Sequence, residues 1–149
     1  MHKIISILQL AVLMHFAEEY IIGFPKWATE YFGTTSNNWY IISHIALLIP
    51  YSLILIGTYK KRAWGVFLST GMQALIFTNG IFHIVSTIMQ RNYSPGLFSQ
   101  LLLMPISLFI IFKVRQQRLL TIQNTLYAII SGIIISGLII LSLFLEIPI

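Results

Sequence analysis

The chain has 149 residues, of which 57% are hydrophobic and only 9% charged, whereas a domain surrounded by water keeps roughly 25% charged. Its length allows a single domain, residues 1–149, most of whose surface must face something apolar. The formal net charge of +5 sits in short clusters between apolar runs, a pattern of membrane orientation and not of nucleic-acid binding, and the absence of cysteine excludes disulfides, thiolate metal sites and cysteine nucleophiles.

The first element combines Met1-His2-Lys3 with the apolar Ile4–Leu13, which resembles a cleavable leader. Cleavage after Ala17 would want a small residue two positions earlier, where His15 stands, so the segment reads as a retained helix. Spanning a bilayer takes about 20 mostly apolar residues. Five stretches qualify: Ile4–Phe24, Trp39–Tyr59, Trp64–Met89, Leu97–Lys113 and Leu120–Leu145. None shows the alternation of a barrel strand, so the expected fold is all-α, a polytopic bundle of about five spanning helices. Pro50 and Pro105 fall inside the second and fourth spans and should bend them. In the fifth, Ser131, Gly132, Ser136 and Gly137 allow close helix packing.

If the spans alternate, Lys3, Lys60, Lys61, Arg62, Lys113, Arg115 and Arg118 share one side, and Lys26 and Arg91 lie on the other. Basic loops favour the cytoplasm, which puts the N-terminus inside and the C-terminus outside. Trp27, Tyr31, Trp39, Tyr40 and Tyr93 would then mark the outer interface, and Tyr59 and Trp64 the inner one. Glu30 and Glu146 are read as solvated outer residues.

The same topology gathers a polar cluster in the outer half of the bilayer. His15, Glu18 and Glu19 occupy one arc of the first span at i, i+3 and i+4. Asn79 and His83 are i, i+4 neighbours on the third span, with Ser86, Thr87 and Gln90 extending their face outward, and His44 arrives on the second span at a similar depth. A single intramembrane histidine or asparagine usually serves as an interhelical hydrogen-bond partner worth about 1 kcal/mol. Two acids, several histidines and an amide at one depth point further, to a functional site.

Imidazoles with carboxylates suit one transition-metal ion, zinc first and iron or manganese next. His15, Glu19 and His83 supply three ligands, His44 a possible fourth, and Glu18 the acid/base. A di-iron bundle would need Glu-x-x-His from paired helices, whereas the order here is His-x-x-Glu and occurs once. Tyr93-Ser94-Pro95-Gly96 forms an outer turn that aims the fourth span, bringing Ser99 and Gln100 toward the cluster and Tyr93 over it as lid or donor.

His15-x-x-Glu18-Glu19, Asn79-x-x-x-His83 and Tyr93-x-Pro95-Gly96, in that order, resemble the HXXEE-domain family of small bacterial membrane proteins. The resemblance covers His15 to Gly96 and implies that these residues act together, in a bacterial plasma membrane. It brings no mechanism, because the family is uncharacterised, and His44 is outside its motifs. The expected function is a metal-dependent membrane hydrolase acting on a lipid or other apolar substrate at the outer leaflet, with Asn79, Tyr93 and Gln100 as substrate-binding or supporting residues. The alternatives are an ion- or proton-coupled transporter or metal carrier using the same cluster, and a haem protein with His15 and His83 as axial ligands.

Overall fold

The computed structural model describes residues 2–33, 36–60 and 62–144, with side chains from residue 11 onward except that of Trp39. The expectations placed on the side chains of Lys3, Trp39, Lys61 and Glu146 lie outside the described residues. Six helices and no strand occur among the described residues: α1 (His2–Ile22), α2 (Phe24–Tyr31), α3 (Asn37–Tyr59), α4 (Ala63–Gln90), α5 (Leu97–Gln116) and α6 (Ile122–Ser142). The long apolar runs form the long helices because, away from water, each backbone group must find its partner within its own segment. Four of them, α3 from Tyr40 onward, α4, α5 and α6, are long and apolar enough to cross a membrane. This is an integral membrane protein. α1 has the length of a span, about 30 Å at 1.5 Å per residue.

Two features depart from the sequence reading. The outer connection after the first span is not a loop: Gly23, at φ +91°, ends α1 and starts the short helix α2, which has Pro25 near its beginning. Trp27 and Tyr40 do not mark an interface with lipid either. With Phe24 and Ala28 they form a buried cluster, because α2 folds back across the outer end of the bundle and roofs it. Tyr59 and Trp64, at the other end of the bundle, are exposed. α3 and α5 run on through Pro50 and Pro105.

The centre of the bundle is α4, against which α3, α5 and α6 all pack. Its contact with α6 is a seam of small residues. A Cβ on Gly132 would come within 2.0 Å of the Gly71 carbonyl oxygen, and Ala128 is fully buried. Thr125, Ala128, Gly132 and Ser136 are the buried face of α6. Gly137 meets nothing within 4 Å and Ser131 is exposed, so only half of the expected small-residue set serves packing. α1 packs on α5 and α3. That arrangement turns its polar motif inward and joins α1, α3, α4 and α5 at one level.

Candidate functional site

Glu19 is the hub. It is 4% exposed, and its two oxygens face different partners. Oε1 lies 3.4 Å from His15 Nε2 and 3.3 Å from His83 Nε2. Oε2 accepts a hydrogen bond from the Tyr40 hydroxyl at 3.0 Å and lies 3.2 Å from His44 Nε2. Residues from α1, α3 and α4 therefore meet at one carboxylate, at the common depth the basic loops imply.

The turn before α5 sets the imidazole orientations. Ser99 donates its hydroxyl proton to the Gly96 carbonyl at 3.1 Å, so it must accept from His15 Nδ1 at 2.9 Å. That places the His15 proton on Nδ1 and leaves Nε2 with a free lone pair. The amides of Asn79 and Gln100 lie against this lone pair at 3.3 and 3.1 Å. Ser94 is 2.9 Å from His83 Nδ1, and its own backbone N–H is held by Thr87 Oγ1 at 3.0 Å. His83 is fully buried, and its Nε2 makes no hydrogen bond to protein. Gly96, at φ +100°, closes the floor of the arrangement. A Cβ there would lie 2.7 Å from His15 Cε1, 2.9 Å from Glu19 Cγ and 3.0 Å from His83 Cε1. Only glycine both adopts the backbone angle and leaves room for all three side chains.

The set His15, Glu19 and His83 can hold a metal ion: one donor atom from each lies within 4.8 Å of the others. A tetrahedral zinc ion with bonds of about 2.0–2.2 Å sets neighbouring donor atoms roughly 3.3–3.6 Å apart. The two separations from Glu19 Oε1 match that spacing and are longer than a good N–H···O bond, about 2.9–3.0 Å. The donor chemistry therefore fits a small cation held by three protein ligands. Ser99 and Ser94 meanwhile hold the far nitrogens of the two rings, as partners of metal-bound histidines do.

The other expected site residues fall around this centre. His44 meets the opposite oxygen of Glu19 and points its Nδ1 at the Tyr40 carbonyl at 2.7 Å, so it supports the carboxylate instead of joining the three ligands. Glu18 has different partners from those expected of an acid/base. Its Oε2 accepts from Ser99 N at 2.8 Å, and its Oε1 from Phe98 N at 3.1 Å and from the Tyr93 hydroxyl. It thus caps the free N–H groups at the start of α5, where the helix dipole favours an anion. Tyr93 belongs to that cap and is not a lid over the histidines. Its partial burial, together with the neighbouring carboxylate, raises its pKa, which keeps it a donor. The sequence reading took Tyr40 as an interface residue. Its i, i+4 spacing to His44 was the signal that it shares the polar face of α3.

With ring centroids 5.3 Å apart, set edge to face, and both Nε2 atoms turned to one oxygen, His15 and His83 leave no slot for a porphyrin between them.

A cavity of about 380 Å³ adjoins the cluster. His15, Glu19, His44, Asn79 and Gln100 line one end of it, and apolar residues of α3, α4 and α6 line the rest.

The sequence profile of a family described as "protein of unknown function with HXXEE motif" matches residues 6–110. No curated protein and no solved structure matches the chain.

Proposed function

The chain belongs to the HXXEE-motif family, and from the site this motif builds we propose that the protein is a metal-dependent membrane hydrolase acting on a lipid or other apolar ester at the outer leaflet. The observation that supports the reading is Glu19 Oε1 lying 3.4 and 3.3 Å from the Nε2 atoms of His15 and His83, with one donor atom of each residue within 4.8 Å of the others. Zinc suits this donor set best, iron or manganese next. Such an ion would polarise the ester carbonyl and activate water.

The chain's own residues supply the rest. Asn79 and Gln100 present amide groups beside the ion's position, where they can donate to oxygen as it gains charge. His44 lines the cavity with one ring nitrogen on the Tyr40 carbonyl and the other on Glu19 Oε2, so it holds the carboxylate in place. In the reaction, water adds its oxygen to the acyl carbon and the carbon–oxygen ester bond breaks. The proton the water gives up ends on the departing alkoxide. The apolar walls select the substrate by excluding water-soluble esters.

Purified without chelator, the protein should carry about one equivalent of a transition metal by elemental analysis. It should also cleave 4-nitrophenyl octanoate in a manner abolished by chelation and restored by zinc. His83→Ala should lose most of the metal and the activity. A metal-free wild-type protein, or cleavage indifferent to both chelation and His83→Ala, would sink the reading.

One observation favours the second reading, a proton- or metal-coupled carrier. Both amide atoms of Gln73 and the hydroxyl of Ser107 are buried without a protein partner, on the α4 and α5 segments that lead away from the cluster. Unpaired buried polar atoms are where water sits, and a water-filled line could relay charge. Metal-dependent proton flux into proteoliposomes, absent from Gln73→Leu, would favour that reading over hydrolysis.

A further inference from the structure

The cavity beside the cluster has a shape that narrows the choice of substrate. On α3 its wall runs from Ser43 and His44 down to Tyr51, and on α4 from Asn79 down to Met72. Ile139 and Ile140 of α6, with Leu143 just after it, form the facing wall. α3 and α6 both rest on α4, and the cavity lies in the cleft between them. Its polar groups are confined mainly to the end at Glu19. The opposite end stops on a plug made by Tyr51 and Met72, which pack against the buried Val12, Ile76 and Leu103.

We infer that this cavity holds one unbranched hydrocarbon chain of about eight carbons, inserted from the bilayer between α3 and α6, with its polar head at the His15–Glu19–His44 end. The inference rests on the hydrolase reading for the identity of the head group, but the chain pocket stands on its own geometry.

Three observations support it. The lining is mostly apolar, with its polar groups concentrated at the Glu19 end and the Tyr51 hydroxyl at the other, which matches an amphiphile better than a sugar or a fully apolar molecule. The wall runs seven residues from His44 to Tyr51 on α3 and from Asn79 to Met72 on α4, about 10 Å at 1.5 Å per residue. An extended chain advances about 1.1–1.2 Å per bond, as a polypeptide does at 3.3–3.6 Å per three bonds, so eight or nine bonds fill that depth. The volume of about 380 Å³ lies toward the low end of the roughly 300–1,000 Å³ usual for ligand pockets. That suits one chain. The plug then acts as a ruler: longer chains meet Tyr51 and Met72 before their head reaches the cluster.

The test uses methyl ketones of four, eight, twelve and sixteen carbons, which present a carbonyl that cannot be hydrolysed. Binding is read by native mass spectrometry on the protein released from dioleoyl-phosphatidylcholine nanodiscs. Wild-type protein should bind the eight-carbon ketone best, at least about tenfold more tightly than the sixteen-carbon one. Leu75→Trp, which fills the middle of the cavity, should abolish binding at every length. Tyr51→Ala should move the optimum to longer chains, and Met72→Ala, a gentler truncation, should do the same if the tyrosine variant fails to fold.

His83→Ala separates this inference from the hydrolase reading. Loss of metal with the length optimum retained supports the chain pocket whatever the reaction is. Affinity that simply rises with chain length in wild-type protein, or that survives Leu75→Trp, would mean the ketones partition into bilayer lipid, and would overturn the inference.

Discussion

Two adjacent glutamates on one helix end in unlike surroundings, and that difference is the sharpest result at the scale of single residues. Glu19 sits among three histidines and Tyr40, while Glu18, one position earlier, ties α1 to the first turn of α5. Sequence spacing could not separate them, because i+3 and i+4 both return toward His15. What separates them is α5, whose start lies beside Glu18 only once the chain has folded. Glu18→Gln should therefore keep the metal and lower stability by about 0.5–2 kcal/mol, the range for loss of a helix cap. Glu19→Gln should lose metal at least about tenfold. Metal analysis and thermal unfolding of the two variants side by side would check this; the reverse pattern would exchange their roles. Gly96 offers a second test. Gly96→Ala places a methyl group within 3.0 Å of all three ligands at a backbone angle alanine resists, so it should cost both metal and stability. Retained metal would show that the floor of the site is more yielding than its contacts imply.

Among the helices, the apolar runs located five long elements to within a few residues, because lipid imposes one rule on every residue of a span. What the runs could not reveal was α2. It carries Lys26, Thr29 and Glu30 on one side and Trp27 and Ala28 on the other, and short segments of mixed polarity read as loop. Only the bundle end it covers makes a helix of it. The small residues of α6 were also only half legible. Composition marks a packing helix but does not say which face packs, and the neighbour's Gly71 decides that. Gly132→Ala should push against the Gly71 carbonyl and destabilise the protein by roughly 1–3 kcal/mol or more. Gly137→Ala, with nothing within 4 Å, should be neutral or slightly stabilising, since glycine is the weaker helix former. Unfolding of both variants in mixed micelles would show the contrast. Equal effects would mean that the α4–α6 seam is not tight.

For the whole molecule, the placement of charge and of chemistry is one question. Helix order brings Lys60, Arg62, Lys113, Arg115 and Arg118 to one end of the bundle, and Lys26, Arg91 and the turn that holds Ser94 and Gly96 to the other. The candidate site is at the sparsely basic end. If basic loops face the cytoplasm, that end faces out, and the cavity receives lipid from the outer leaflet. That orientation has α1 crossing the bilayer, since α2 and the start of α3 sit at the site's end of the bundle. The absence of cysteine makes a direct test possible. Asn92→Cys, on the exposed turn after α4, should react with a membrane-impermeant maleimide added to intact cells. Gln117→Cys, on the exposed turn after α5, should react only after the cells are opened. Labelling of Gln117→Cys but not Asn92→Cys in intact cells would invert the molecule and move its substrate to the inner leaflet. The geometry of His15, Glu19 and His83 would be untouched. Labelling of both would mean that the two turns do not lie on opposite sides, and the shared depth on which the site reading began would no longer follow from the basic loops.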